Sequence, residues 1–143
     1  METLGTLCDK LTIVKLKQYH TNDKVKRNSL SKQELNLIEE IDDFLNNTIT
    51  GIVPANRLVF ASNKVYKKKG NEIPPLKGMI GKIFSELAKV NCELWHEQEK
   101  VYEFEKVPAK EKDKIVKQLA LLNLKRNQCI DKIDTTLQKL VKK

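Results

Sequence analysis

The chain has 143 residues, 40 % of them apolar and 32 % charged, with 27 basic against 19 acidic side chains and a formal charge of +8. That length suits one domain, 1–143, able to bury a substantial core, and five glycines with four prolines are too few for a turn-rich β fold or a low-complexity tail. Cys8, Cys92 and Cys129 are too few and too widely spaced for a disulfide framework or a paired-cysteine metal site. With no basic-then-apolar leader after Met1, the expectation is a cytoplasmic protein with structural thiols. No run approaches the roughly 18 apolar residues of a membrane span, so no membrane partner is expected.

The first helix is predicted over Thr3 to His20, because Leu4, Leu7, Leu11 and Val14 recur at steps of three and four, and Thr3 or Thr6 can cap its start. Residues Thr21 to Asn28 are polar and basic and read as a connection. Ser31 with Glu34 three residues later fits a capping box, so a second helix is expected from there, carrying Leu35, Leu37, Ile38, Ile41, Phe44, Leu45 and Ile49. Gly51 and Pro54 stop it. From Gly51 to Gly78 the periodicity weakens, although Leu58, Ala61 and Val65 allow a short additional helix. Lys64 and Lys67 to Lys69 form the densest basic cluster, which reads first as a solvated helix end.

Two longer patterns close the chain. From Leu76 to about Glu105, Ile80, Phe84, Leu87, Val90 and Leu94 share an inner face, with Asn91 and Gln98 projecting from it. From Asp113 to Val141, Ile115, Leu119, Leu122, Ile133, Leu137 and Leu140 share a sector with Arg126 at its middle and Asn123, Asn127 and Asp134 along one edge. Pro108 ends the first of these patterns, and the short break predicts an antiparallel hairpin. Residues whose numbers sum to about 215 then lie level, which brings Asn91 near Asn123, Arg126 and Asn127. The fold class expected is all-α: an antiparallel helical bundle of four main helices with a long C-terminal helical hairpin, each arm of about 28 to 30 residues.

An arginine cannot lose its charge to escape burial, so Arg126 needs an anionic partner. One reading makes that partner a ligand, a small anionic compound such as a phosphorylated sugar or nucleotide. Its ligand-binding residues would be Asn91, Trp95, Glu99, Asn123, Arg126 and Asn127, with the guanidinium as the anion receptor and Trp95 as a wall. The plainer reading makes it a carboxylate, Glu97, Glu99 or Asp9, in a network that fixes the register of the bundle. Glu93-x-x-His96 has the spacing of carboxylate-bridged metal bundles. Its matching second motif is missing, because the residue three before His20 is Lys17, so no metal and no cofactor are expected. No Ser or Cys carries a local nucleophile signature, and the dispersed glycines form no phosphate loop.

Asn91-x-x-Leu94-Trp95-His96-x-x-Glu99, followed by Leu122-Asn123-x-x-Arg126-Asn127-x-x-Ile130-x-x-Ile133-Asp134, resembles the signature of DUF4254, a bacterial domain family of unknown function. Leu11-Thr12-Ile13 with Asp9, Lys10 and Lys17 is similar to that group as well. The resemblance covers the first helix and the last two, and it implies importance for these positions without implying a reaction. Function is thus expected to be small-anion binding. The alternatives are a structural or protein-interaction bundle, including a homo-oligomer, and basic nucleic-acid binding through Lys24, Lys26, Arg27 and the Lys64 to Lys69 cluster, which is not favoured.

Overall fold

A computed structural model describes residues 2–60 and 76–142, and it is helical with no strand among them. Four helices make the all-α bundle: α1 (Leu4–His20), α2 (Lys24–Ile49), α3 (Ile80–Tyr102) and α4 (Ala109–Val141). Short 3-10 turns at Ala55–Arg57 and Phe104–Lys106 occupy the connections. The expected helix over Leu58, Ala61 and Val65 and the Lys64 to Lys69 cluster lie mostly or wholly outside the described residues.

Thr3 caps α1 as expected: the Thr6 amide donates to its hydroxyl, and the Thr3 amide donates back to the Thr6 hydroxyl at 2.8 Å. The start of α2 departs from expectation. Asp23, not Ser31, is its cap, because the Asp23 carboxylate accepts from the amides of Val25 and Lys26 at 2.8 and 3.2 Å. Asn28 to Ser31 therefore continue as helix, and Leu30 turns into the core. At the other end Gly51 takes a φ of +82°, the left-handed geometry that terminates helices and that side-chain-bearing residues resist.

Pro108 stands at the N-cap of α4, where the lack of an amide proton is harmless, so α4 starts at Ala109 rather than near Asp113. The hairpin arms are unequal. With 23 residues in α3 and 33 in α4, they measure about 35 and 50 Å at 1.5 Å per residue.

The helix at the centre is α1, which packs on α2, α3 and α4. It has two seams. Leu7, Leu11 and Val14 form an apolar seam, whereas Gly5, Cys8, Asp9 and Thr12 form a second stripe of small and polar residues at helical spacing. The second stripe meets the hairpin closely: a Cβ on Gly5 would stand 2.5 Å from the Ile130 carbonyl oxygen and 2.9 Å from Asp134 Oδ1. Only glycine lets α1 and α4 approach to this distance.

The core is made by Ile83, Leu87, Cys129 and Ile133 from the hairpin, all fully buried, with Leu4, Leu7 and Cys8 of α1, Leu37 and Phe44 of α2, and Leu58. Each such aliphatic side chain contributes about 1.5–3 kcal/mol by leaving water. Leu140, expected on the inner face, is 47 % exposed because α4 there has run beyond the end of α3. Burial pushes the Cys8 thiol up to about 12 and the Cys129 thiol up to about 11. No helix among the described residues is long and apolar enough to cross a membrane.

Candidate functional site

Three helices bring their polar intrusions to one point, and Asp9 holds it. Arg126 Nε donates to Asp9 Oδ1 at 2.8 Å and its Nη2 donates to Oδ2, the two-pronged geometry that matches guanidinium to carboxylate. Asn91 Nδ2 donates to the same Oδ1 at 2.9 Å and to the Thr12 hydroxyl at 2.6 Å. Thr12 in turn donates to the Asp9 backbone carbonyl. Asp9 is 5 % exposed, and every donor aimed at it is therefore needed. The carboxylate holds the Arg126 guanidinium above the usual arginine range, mainly through that paired hydrogen bond.

This arrangement separates the residues that the sequence grouped together. Arg126 and Asn91 do meet, but through Asp9 of α1 rather than across the hairpin directly. Asn123 and Asn127 are half-buried and stay on their own helix, Asn127 Nδ2 donating to the Asn123 carbonyl at 3.0 Å. Glu99 is exposed and sits 3.6 Å from His96, while Gln98 also faces solvent. Trp95 leaves the group altogether. Its indole stacks on His20 at 4.7 Å between ring centres, with His96 edge-on to the same histidine at 6.1 Å. His20 Nδ1 donates to the Leu16 carbonyl at 2.8 Å, which fixes the ring at the end of α1.

A second polar contact joins the ends of the chain. The buried Asp134 accepts the Gly5 amide at 2.7 Å, so a carboxylate from α4 satisfies one of the first-turn amides of α1. Burial outweighs the Thr3 and Gly5 hydrogen bonds here and pushes the pKa of its carboxyl up to about 6. Periodicity counts apolar residues and so passes over Asp9, Thr12 and Gly5 as a seam. The signal was nevertheless present as small or polar side chains at 5, 8, 9 and 12.

Three cavities stand out among the described residues, and Arg126 lines none of them. The first, about 640 Å3, lies at the hairpin bend between mixed charges such as Glu97, Lys100, Glu103 and Lys106. The second, about 390 Å3, is lined by Lys17, His20, Lys26, Leu30 and Trp95 with Thr21, Ser29 and Gln33, and it has no acidic side chain. The third, about 300 Å3, lies beside Leu76, Gln128 and Asp131. Among the described residues no group of three or more His, Cys, Asp or Glu side chains is arranged to hold a metal ion.

Removing Arg126 alone strands a buried carboxylate, so Arg126→Met is expected to lower stability by about 3 kcal/mol. Adding Asp9→Asn should recover most of that loss, because the amide still accepts from Asn91; denaturant melts of the single and double variants check this. Asp134 adds a pH dependence of known sign. Its folded-state value of about 6 lies above the ordinary 3.8, so the folded chain keeps a proton that the unfolded chain releases, and stability from this group falls as pH rises from 4 to 6. Asp134→Asn keeps the acceptor for Gly5, and thermal melts across pH 4 to 7 should show a flatter profile and a higher midpoint at pH 7.

Comparison with protein-family models, with curated proteins and with solved structures returns no match for this chain.

Proposed function

We propose that this chain is a helical protein-interaction module: α1, α3 and α4 form a fixed frame and α2 is the docking element. The observation that carries this reading is an apolar stripe on α2 facing away from the frame. The inner side of α2, with Leu30, Leu37, Phe44 and Thr48 buried, packs on α1 and the core. About a third of a turn around the helix, Leu35, Ile38 and Ile49 are exposed, while Leu45 between them is half-buried against the core. Leu35 is 61 % and Ile49 78 % exposed, and Ile52 just beyond the helix is 72 % exposed. One exposed leucine needs no explanation, but several exposed aliphatic side chains on one side of a helix are characteristic of a contact surface. The frame supports the reading by its rigidity, since Asp9, Asn91 and Arg126 tie three helices in one register.

The test is a triple variant, Leu35→Lys with Ile38→Lys and Ile49→Lys. In dilute solution the native chain is expected to enhance the fluorescence of an apolar-surface dye, and the variant to lose that signal. Its melting should stay within about 0.5 kcal/mol per site of the native chain, as for ordinary surface changes. A loss of several kcal/mol would mean that the stripe is packed within the chain itself, and the reading would fail.

A second reading, small-anion binding, is favoured by the cavity at Trp95 rather than by Arg126. Lys17, Lys26 and His20 face a space with no acidic wall, beside an indole and Leu30. Trp95 is the sole tryptophan of the chain, so its fluorescence reports on this cavity directly. Saturable quenching by pyrophosphate, absent in Lys17→Gln/Lys26→Gln, is the expected outcome; a response unchanged in that variant sinks the reading.

A further inference from the structure

The cavity at the corner of α1 and α2 combines two kinds of lining. Lys17 of α1 and Lys26 of α2 bring cations from separate helices, and no carboxylate lines the space among the described residues. The rest is flat or apolar: Leu30 is buried, and the indole of Trp95 lies within 24° of parallel to the His20 imidazole. That aromatic pair is ordered in advance, because His20 is held both by the Leu16 carbonyl at 2.8 Å and by the stack at 4.7 Å. Ser29 and Gln33 complete the α2 side, with Gln33 Nε2 donating to Ser29 Oγ at 3.2 Å. This bond uses one amide hydrogen, so Gln33 keeps a second hydrogen and a carbonyl oxygen side by side for another partner. Lys26, Ser29, Leu30 and Gln33 share one face of α2, and Lys26 stands about 10 Å from Gln33 along the helix axis.

A bare anion accounts for the lysines and for nothing else. The cavity, about 390 Å3, falls in the range of pockets for organic molecules, roughly 300 to 1,000 Å3, and a strongly hydrated ion gains nothing beside Leu30 and an indole. A sugar phosphate has no plane to lay against the rings. We propose that the occupant is a nucleoside monophosphate, its phosphate held by Lys17 and Lys26, its base against Trp95, His20 and Leu30, and the edge of that base read by the Gln33 amide. This rests on the small-anion reading of the cavity and names its ligand class. Lysine ammonium groups serve phosphate as point charges. Aromatic walls accept any base, since every base has a π-face. A glutamine amide pairs in two-pronged fashion with an adjacent donor and acceptor on a base edge. The separation of Lys26 from Gln33 suits a ligand whose anion and ring are different parts of one molecule.

Calorimetric titration of the full chain with AMP, UMP, ribose 5-phosphate, pyrophosphate and adenosine separates the parts. AMP and UMP are expected to bind saturably and about tenfold more tightly than ribose 5-phosphate or pyrophosphate, which lack the base, and than adenosine, which lacks the charge. Gln33→Ala should weaken AMP about tenfold and leave ribose 5-phosphate unchanged. Gln33 is exposed, and a melt of the variant confirms folding. Lys17→Gln/Lys26→Gln should lose the nucleotides and the sugar phosphate together. Nucleotides no tighter than ribose 5-phosphate, adenosine as tight as AMP, or AMP binding that is unchanged in either variant overturns the proposal. Where pyrophosphate and ribose 5-phosphate bind as tightly as AMP and all three fail in the lysine variant, the nucleotide is overturned and the small-anion reading stands. Where no anion binds at about 1 mM, both are overturned.

Discussion

One carboxylate decides how this bundle is assembled. Asp9 is removed from water on α1 and compensated by Arg126 from α4 and Asn91 from α3, so neither arm of the hairpin can slide without leaving charge unpaired. A displacement by one helical turn would exchange favourable contacts for an isolated buried ion, a penalty of several kcal/mol. Apolar packing alone discriminates less sharply, because Ile83, Leu87 and Ile133 could find comparable neighbours one turn away. Direction comes from the hydrophobic core and register from the polar knot, and Gly5 permits the close approach on which both depend.

Much of this was legible in the sequence because it depends on local chemistry. Leucine spacing and Thr3 define α1, and Pro108 and Gly51 mark real ends. Arg126 on an apolar face correctly signalled a buried partner, and Asp9 was among the carboxylates that could supply it. The errors came where two local rules competed. Ser31 and Glu34 satisfy the capping pattern, yet Asp23 offers a cap eight residues earlier in the chain, and Leu30 gains burial only if the helix has already begun. Trp95 was assigned to the Arg126 group by its neighbours in sequence, whereas its position on α3 points it at the end of α1. Which of two adjacent helix faces meets which neighbour is a tertiary property, and periodicity does not encode it.

The same limit explains why α2 was misread as a single broad apolar face. Leu30, Leu37 and Phe44 are buried, Ile41 and Leu45 are half-buried beside them, and Leu35, Ile38 and Ile49 are exposed. The sequence shows only their sum. Separating them requires knowing that α1 already uses its other seam on the hairpin, which leaves α2 with α1 as its main helix neighbour among the described residues. The excess of apolar residues on this helix over what its packing consumes is the structural basis for treating it as a surface that meets something else.

The buried sulfur atoms carry a consequence for reactivity. At neutral pH the thiols of Cys8 and Cys129, held near 12 and 11, supply almost no thiolate, the only form that attacks electrophiles or exchanges with oxidised glutathione. Cys92 is the one sulfhydryl with solvent contact. Alkylating reagents applied to the folded chain therefore meet a single receptive position midway along α3, and any additional adduct reports that the helices have come apart.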